Sequence, residues 1–254
     1  MRLWWDKIDS LGPKIGYFVK ASKSWLIVKS EFLDEARKIF EGSGLNITTE
    51  GRRHLGAVIG SDSFKAAYVS NHVDDCINKL KELTEIAKCE PHSAFAAYTH
   101  GFRSKYIYIL RTIPNISQLL APLDKAVDDF LSVLFQGKVF SSNLRKLFAL
   151  PVKMGGLGIE IPSEISDVHY INSRSITSQL VTHIETHSQT SMLNVELLKL
   201  AKLKVQSDKN VRHKALVETL SDSLNVLQKL LVSLTKRKGP LYGRQIFLWL
   251  TKVS

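Results

Sequence analysis

The chain has 254 residues, of which 44% are hydrophobic, and its 35 Lys and Arg against 24 Asp and Glu give a net charge of +11. This length and apolar content suffice to bury the core of one large domain or two small ones, which excludes a chain that is disordered throughout. The two cysteines, Cys76 and Cys89, have no His or Cys partners at ligand spacing, which excludes a disulfide framework and a zinc site.

Short helices and strands are predicted to alternate over residues 1–61. In chain order, the elements are a helix that stops at Gly12-Pro13, a strand at residues 25–28, a helix that ends at Gly42 or Gly44, and strands at residues 45–48 and 54–59 around a polar turn at residues 50–52. This alternation predicts a small mixed α/β part.

From residue 62 the apolar residues recur at three- and four-residue steps, the period of amphipathic helices. Long helices are predicted at residues 62–88, 93–111 and 116–137, and a short one at residues 143–150. Because Pro91, Pro114 and Gly137 mark short turns next to them, these helices should pack as a bundle.

A glycine turn at residues 155–158 interrupts the helices and is a candidate boundary. Beyond it, helices are predicted at residues 163–185, 193–205 and 211–234. The last two carry leucines on one side, which indicates a helical hairpin or a short coiled coil, and no heptad run is long enough to prefer the coiled coil. The predicted fold is mainly α (α+β), divided into residues 1–61, 62–150 and 151–254.

The sequence has no pattern of a secreted or membrane protein. The N-terminal stretch MRLWWDKIDSLG contains Asp6 and Asp9 and lacks the continuous apolar core of a signal peptide. No run of about 18 apolar residues, the length of a membrane-spanning helix, occurs in the sequence. We therefore expect an intracellular protein with reduced thiols, in the nucleus or cytoplasm, that is not secreted and has no membrane partner.

The positive charge is concentrated towards the C-terminus. Residues 199–254 contain 12 Lys and Arg against 3 Asp and Glu, a net charge of +9, whereas residues 1–198 have a net charge of +2. A basic surplus suits a polyanionic partner, usually RNA or DNA, because neutralised phosphates release their counterions. A solvated helix surface explains the same lysines equally well, so both interpretations stay open.

No cluster in the sequence has the pattern of a catalytic or metal site. Polymerases hold two metal ions on carboxylates that project together, but Asp74-Asp75 and Asp128-Asp129 both lie in segments of helical period, so we interpret them as polar-face residues. His183 and His187 have a spacing that suits a metal, yet no further ligand stands nearby, and we interpret them as surface residues. We expect this chain to bind no metal or cofactor.

Two segments near the N-terminus resemble consecutive motifs of a reverse transcriptase palm. Residues 12–29 read GPKIGYFVKASKSWLIVK, and residues 53–61 read RHLGAVIGS. In order and spacing, residues 1–180 are similar to the C-terminal part of a retrotransposon reverse transcriptase of the non-LTR type. The resemblance implies that Lys23 approaches the incoming nucleotide, that Lys20 replaces an asparagine common in the family, and that Leu55-Gly56 corresponds to the primer grip.

Under the same resemblance, residues 62–150 correspond to the helical thumb and residues 151–162 to a Pro-x-x-x-Gly-Gly-Leu-Gly-Ile segment found beyond it. The full-length family is an RNA-directed DNA polymerase that uses Mg²⁺, and its metal-binding carboxylates precede the two motifs. We therefore expect a truncated reverse-transcriptase-like protein from a retroelement that is inactive alone. A palm and fingers segment supplied in trans is a candidate partner.

The function expected of such a chain is binding of an RNA or DNA duplex through its backbone, a contact that positions a protein without reading sequence. The alternative is a basic helical module that binds a protein partner through its leucine faces and has no nucleic-acid role. The candidate nucleic-acid contacts are Arg52, Arg53, Lys65, Arg103, Lys105, Arg111, Lys199, Lys202, Lys204, Arg212, Lys214, Lys236, Arg237 and Lys238.

Overall fold

The structure, a computed structural model, describes residues 1–186 and 195–221. It confirms a mainly α fold with a small mixed α/β part at the N-terminus. The helices of these residues are α1 (Arg2–Leu11), α2 (Leu33–Ile39), α3 (Asp62–Cys89), α4 (Pro91–Ala97), α5 (Arg103–Thr112), α6 (Ala121–Leu134), α7 (Ser142–Ala149), α8 (Pro162–Glu185) and α9 (Val195–Ser221). The strands are β1 (Trp25–Ile27), β2 (Asn46–Thr48), β3 (Gly51–His54) and β4 (Ala57–Gly60).

The chain divides into two compact units, Met1–Val69 and Ser70–Ser254. The first unit contains a parallel pair, β1 with β2, and an antiparallel hairpin, β3 with β4. Its first helix, α1, is held to the end of α2, because the Arg2 guanidinium donates hydrogen bonds to the carbonyls of Ile39 (3.0 Å) and Glu41 (3.2 Å). Trp5 of α1 is buried, which fixes the same helix from its apolar side.

The position of the β3–β4 hairpin corrects the prediction. We expected a turn at residues 50–52 and a strand at residues 54–59, but Gly51 begins β3 and the turn lies at Leu55-Gly56. Both turn residues have positive φ, 49° for Leu55 and 82° for Gly56, as a two-residue turn requires if it is to match the strand twist. Gly51 is a strand residue opposite Gly60, where the two backbones are too close for a Cβ on either residue.

The described part of the second unit consists of helices and the segments that connect them. Helix α8 packs against α5, α6 and α9, and α9 also contacts α7. The most deeply buried large side chains of this core are apolar or aromatic: Leu80, Tyr98, Tyr106, Ile109, Leu110, Ile113, Leu120, Leu123, Phe130, Leu131 and Leu134. Such a core stabilises the unit by removing apolar surface from water.

Hydrophobic periodicity located most of these helices. The predictions at residues 62–88, 143–150 and 163–185 are confirmed by α3, α7 and α8. The predicted helix 93–111 contains a π turn, Tyr98–Phe102, between α4 and α5. The prediction of separate helices at residues 193–205 and 211–234 is wrong over the described residues, because α9 is continuous from Val195 to Ser221. Its polar stretch at residues 206–210 contains no Gly or Pro to end a helix, and residues 222–234 lie outside the described range.

Candidate functional site

The first unit contains an open groove of about 480 Å³, which we call the aromatic groove. Its walls come from α1, the segment before β1, the strands β1 and β3, and the residues around them. The residues that line it are Met1, Trp4, Trp5, Ile8, Tyr17, Val19, Lys23, Ser24, Trp25, Leu26, Ile27, Phe40, Leu45, Arg52, Arg53, His54 and Ile59. They include three cations, and no carboxylate stands among them in the described chain.

Large aromatic side chains in the groove are unusually exposed. Trp4 of α1 is 65% exposed and Tyr17 is 59% exposed, while Trp25 at the start of β1 is 39% exposed. Trp5, the neighbour of Trp4, is buried and anchors α1, so the exposed Trp4 ring stands on a fixed helix, while Trp25 stands on β1 and Tyr17 on the segment before it. Exposed aromatic surface of this kind is typical of a binding site, because burying it on a ligand removes apolar area from water.

The cations of the groove lie beside these rings. The Arg52 guanidinium stacks over the ring of Trp25, with Cζ 3.6 Å from the ring centroid, a cation–π contact that holds the charge at the groove wall. Arg53 follows it on β3 and is also exposed. Lys23 ends a 3-10 turn before β1, and this turn is held by the Asn46 side-chain amide, which donates to the carbonyls of Ser22 (2.9 Å) and Ser24 (3.3 Å).

The other residues implied by the palm resemblance lie near the groove but do not line it in the described chain. Lys20 is exposed, and its carbonyl accepts hydrogen bonds from the Lys23 amide (3.0 Å) and the Ser24 hydroxyl (3.1 Å). Leu55-Gly56 forms the tip of the β3–β4 hairpin, where Leu55 is 83% exposed. The Tyr68 hydroxyl donates to the Gly56 carbonyl (2.8 Å), so the hairpin tip is tied to α3.

The remaining candidate cations are dispersed over the helices. Lys65 pairs with Asp62 at 3.2 Å, and Arg103 donates to the Gly158 carbonyl at 3.1 Å, so both have contacts inside the fold. The others are exposed on α5 and α9: Lys105, Arg111, Lys199, Lys202, Lys204, Arg212 and Lys214. Residues 236–238 lie outside the described range. Of all the predicted contacts, the structure brings only Lys23, Arg52 and Arg53 into one groove among the described residues.

A second cluster of charged residues surrounds the segment at residues 158–161 of the second unit, which contains no helix or strand and which we call the connector. Arg145 of α7 is 7% exposed, and its guanidinium donates to the carbonyls of Ile159 (2.7 Å) and Glu160 (3.3 Å) and to the carboxylate of Asp128. Lys209 of α9 donates to the Glu160 carboxylate at 3.2 Å. Together with Arg103 these cations hold the chain between the glycine turn and α8.

The titratable groups of the second unit have the pattern of a folded interior. Burial raises the pKa of the Cys76 thiol to about 11 and that of the Tyr98 hydroxyl to about 12. Burial also lowers the pKa of His169 and of His213, and nearby charges modify both. Glu160 opposes the shift at both histidines, and Lys209 adds to it at both. Arg103 and Arg111 lower the pKa of His169 further, and Arg212 and Lys153 lower that of His213.

The acidic and histidine pairs do not form a metal site in the described chain. Asp74 and Asp75 lie exposed on α3, and Asp128 serves as a partner of Arg145. His183 lies on α8, whereas His187 is outside the described residues. Over residues 1–186 and 195–221, no group of three or more His, Cys, Asp or Glu is placed to hold a metal ion.

Comparison of the chain with protein-family models, with curated proteins and with solved structures finds no significant match. The reverse transcriptase resemblance therefore stays a hypothesis that rests on the two N-terminal motifs and their order. None of the helices in the described ranges combines the length and the apolar character that crossing a membrane requires.

The sequence interpretation missed two sets of residues. The residue patterns predict a helix around Trp4 and an apolar strand around Trp25 and do not indicate a shared aromatic lining, although aromatic residues next to Lys and Arg are a signal for nucleic-acid contact. Arg145 was overlooked as well, although it shares a helix face with Phe148 three residues later. That position indicates a buried cation, but it does not reveal which carbonyls the cation binds.

Proposed function

We propose that the chain is a reverse-transcriptase-related protein that binds RNA or DNA through the phosphate backbone and has no polymerase activity of its own. The observation that supports this proposal is the aromatic groove, where Lys23, Arg52 and Arg53 stand without a carboxylate among the described lining residues. Phosphates neutralised by such cations release condensed counterions, and this release drives binding.

The groove cations suit this role better than the more numerous lysines of α9. Arg52 is held against the Trp25 ring, so it has less side-chain freedom to lose on binding. The Asn46 amide holds the backbone of the turn that ends at Lys23. Under the resemblance, Lys23 approaches the incoming nucleotide, and Leu55-Gly56, at the tip of the hairpin that contains Arg52 and Arg53, corresponds to the primer grip. Contacts of this kind position a strand and do not read its sequence.

The proposal is tested by measuring the affinity of a fluorescent oligonucleotide at several salt concentrations. The triple variant Lys23→Ala, Arg52→Ala, Arg53→Ala should bind about 10- to 100-fold more weakly, and the slope of log K against log salt should fall by about 2 to 3 units, since up to three phosphate contacts are removed. The matched control is Lys7→Ala, Lys14→Ala, Lys38→Ala, which removes the same charge from exposed positions of the same unit outside the described groove lining. Equal losses in both variants would contradict the proposal.

The absence of polymerase activity is tested by primer extension with Mg²⁺. We expect the chain alone to extend no primer, because Asp74 and Asp75 lie on a helix rather than on strand ends. Extension that disappears in the Asp74→Ala or Asp75→Ala variant would overturn both the interpretation of this pair and the inactivity.

A second candidate function is binding of a helical protein partner. The observation that favours it is the outer face of α9, where Leu197, Leu200 and Leu203 are exposed at three-residue steps. An apolar helix face of this kind can pack in the groove of another helix. The salt dependence of the affinity distinguishes the two candidate functions. Phosphate binding weakens steeply between about 50 and 200 mM salt, whereas the affinity of apolar helix pairing barely changes.

A further inference from the structure

We infer that the aromatic groove takes a single strand of nucleic acid, with unpaired bases stacked on Trp4 and Tyr17 while Lys23, Arg52 and Arg53 hold the flanking phosphates. This inference rests on the proposed function and specifies its ligand: a single strand in place of the duplex that the sequence suggested. The recognised chemistry, a flat base next to a phosphate, is shared by RNA and DNA.

The exposed rings of the groove favour unpaired bases over a duplex. A duplex presents phosphates to a protein and keeps its bases stacked inside, so a surface that binds duplex backbone gains little from aromatic rings. An unpaired base has two open faces, and stacking on an aromatic side chain is sequence-tolerant because every base has such a face. Trp4 and Tyr17, at 65% and 59% exposure, present ring surface to this groove.

The arrangement of Arg52 and Trp25 adds a second stacking surface. The guanidinium lies 3.6 Å from the ring centroid, which makes the two planar groups one layered unit. A guanidinium plane is itself a platform for an unpaired base and also carries the charge that a phosphate needs. The groove therefore combines rings and cations, as sites that bind single strands without sequence preference do.

The size of the groove agrees with a single strand. Its volume is about 480 Å³, within the range of roughly 300 to 1,000 Å³ that holds a small organic ligand, and on this scale one or two nucleotides fit. An apolar peptide would also fit this volume. The three cations and the lack of a carboxylate in the described lining favour a ligand with negative charge.

The test measures the anisotropy of labelled oligonucleotides of about 12 nucleotides with the full chain. The probes are oligo(dT), oligo(rU), a blunt DNA duplex, a blunt RNA duplex, and an abasic strand with the same number of phosphates as oligo(dT). We expect the single strands to bind at least 10-fold more tightly than the duplexes and the abasic strand, because only they offer unpaired bases. Binding of oligo(dT), of oligo(rU) or of both in this way supports the inference, and the ratio of the two affinities shows whether the groove prefers DNA or RNA.

The variants assign the stacking to named rings. Trp4→Ala combined with Tyr17→Ala should weaken single-strand binding about 10-fold or more and leave duplex binding unchanged, while Trp4→Phe combined with Tyr17→Phe should restore most of it. Phe18→Ala is the matched control, because Phe18 is 75% exposed beside Tyr17 and is not among the described groove residues. Because both side chains are exposed, we expect each variant to fold, and circular dichroism is the measurement that checks this.

The outcomes separate the two proposals. Equal or tighter binding of the duplexes, or equal binding of the abasic strand, would overturn the single-strand inference and leave the phosphate-binding function in place. No binding of any probe at about 50 mM salt would remove both proposals.

Discussion

Two clusters of cations, one in each unit of this chain, differ in burial and in partners. In the first unit, Lys23 and Arg53 are exposed at a groove that also holds Arg52 on an aromatic ring. In the second unit, Arg145 is buried and its donors are used on carbonyls of the connector and on Asp128. The difference shows that a net charge of +11 does not measure the charge available to a ligand, because burial and internal partners decide which cations can bind one.

The same contrast applies to apolar surface. The most deeply buried large side chains lie in the helical core of the second unit, whereas the first unit leaves the aromatic residues Trp4, Tyr17 and Phe18 exposed. The exposed apolar residues of the second unit, such as Leu200, are mostly aliphatic. A small unit cannot bury all its apolar residues, but exposed rings concentrated beside cations go beyond what small size explains. We therefore place the proposed binding site in the first unit, whereas the buried Arg145 of the second unit has a structural role.

The largest expected effect is the loss of stability when Arg145 no longer donates hydrogen bonds to the connector. The variant Arg145→Met keeps the buried stem and removes the donors, which leaves the carbonyls of Ile159 and Glu160 without this partner. We expect the free energy of unfolding to fall by about 2 to 4 kcal/mol, since buried acceptors without a hydrogen bond cost about 1 to 3 kcal/mol each. Asp128 is half-exposed and can return to water, so the loss should stay below that of a fully buried ion pair.

Urea denaturation measures this loss, with Arg111→Met as the control at an exposed arginine of the same unit. The control should change stability by less than about 0.5 kcal/mol. A loss below about 1 kcal/mol for Arg145→Met would contradict a structural role for this cation.

The next effect comes from the glycine turn. Gly156 is buried, and a Cβ at this position would collide with the carbonyl groups of Leu147 and Leu150. Gly156→Ala should therefore cost about 1 to 3 kcal/mol through overpacking. Gly101→Ala is the matched control, because a Cβ at Gly101 would meet no atom within 4 Å. Thermal unfolding of the two variants compares them, and equal midpoints would show that the turn is free to shift.

The second unit should lose stability in mild acid through His169 and His213. Both have folded-state pKa values below their ordinary value, because burial disfavours the charged form. The unfolded chain then binds more protons, so the stability these groups support is complete above about pH 6.5 and declines as the pH falls below it. Denaturation midpoints between about pH 7 and pH 5 measure the decline.

The double variant His169→Gln, His213→Gln should reduce this decline, whereas His100→Gln, at an exposed position, should leave it unchanged. Carboxylates that titrate over the same range contribute equally to the parent and the variants, so the difference isolates the two histidines. An unaltered decline in the double variant would mean that they do not carry the acid sensitivity.

The extent to which the sequence predicts this structure depends on how local each feature is. Helices α3 and α8 are predicted by the 3.6-residue period of their own apolar residues. The hairpin was misplaced because Leu55-Gly56 is an unusual two-residue turn, in which a leucine adopts a left-handed conformation that favours Asn or Gly. Turn prediction relies on those residue types, and this turn lacks one of them.

The candidate site was predicted only in part for a related reason. Lys23 was identified by a motif resemblance, and Arg52 and Arg53 were candidate basic contacts, but their common groove depends on the pairing of β1 with β2 and on the docking of α1. Neither contact can be read from periodicity, because the residues involved lie more than 20 positions apart. The hydrogen bonds of Arg145 to carbonyls 14 and 15 positions later likewise cannot be predicted from a single sequence.

A smaller and opposite effect is expected at the hairpin tip of the first unit. Leu55→Asn should stabilise the chain by about 0.5 to 1 kcal/mol, because asparagine tolerates a positive φ better than leucine does and the leucine is 83% exposed. If Leu55 also contacts a bound strand, as the primer-grip resemblance implies, the same variant should bind oligonucleotide more weakly. Urea denaturation and anisotropy on one sample separate the two effects, and destabilisation would contradict the strain argument.

The smallest effect on stability is expected at Arg53, and it sharpens the contrast with Arg145. Arg53 is exposed on β3, so Arg53→Ala should change the free energy of unfolding by less than about 0.5 kcal/mol. Its affinity for a single strand should nevertheless fall, and the salt slope should decrease by about 1 unit, because one phosphate contact is lost. Arg145→Met should show the reverse, a large loss of stability at an unchanged salt slope when measured well below its unfolding midpoint. If Arg53→Ala destabilised the chain as much as Arg145→Met, the groove cations would be structural too, and the division of roles between the two units would fail.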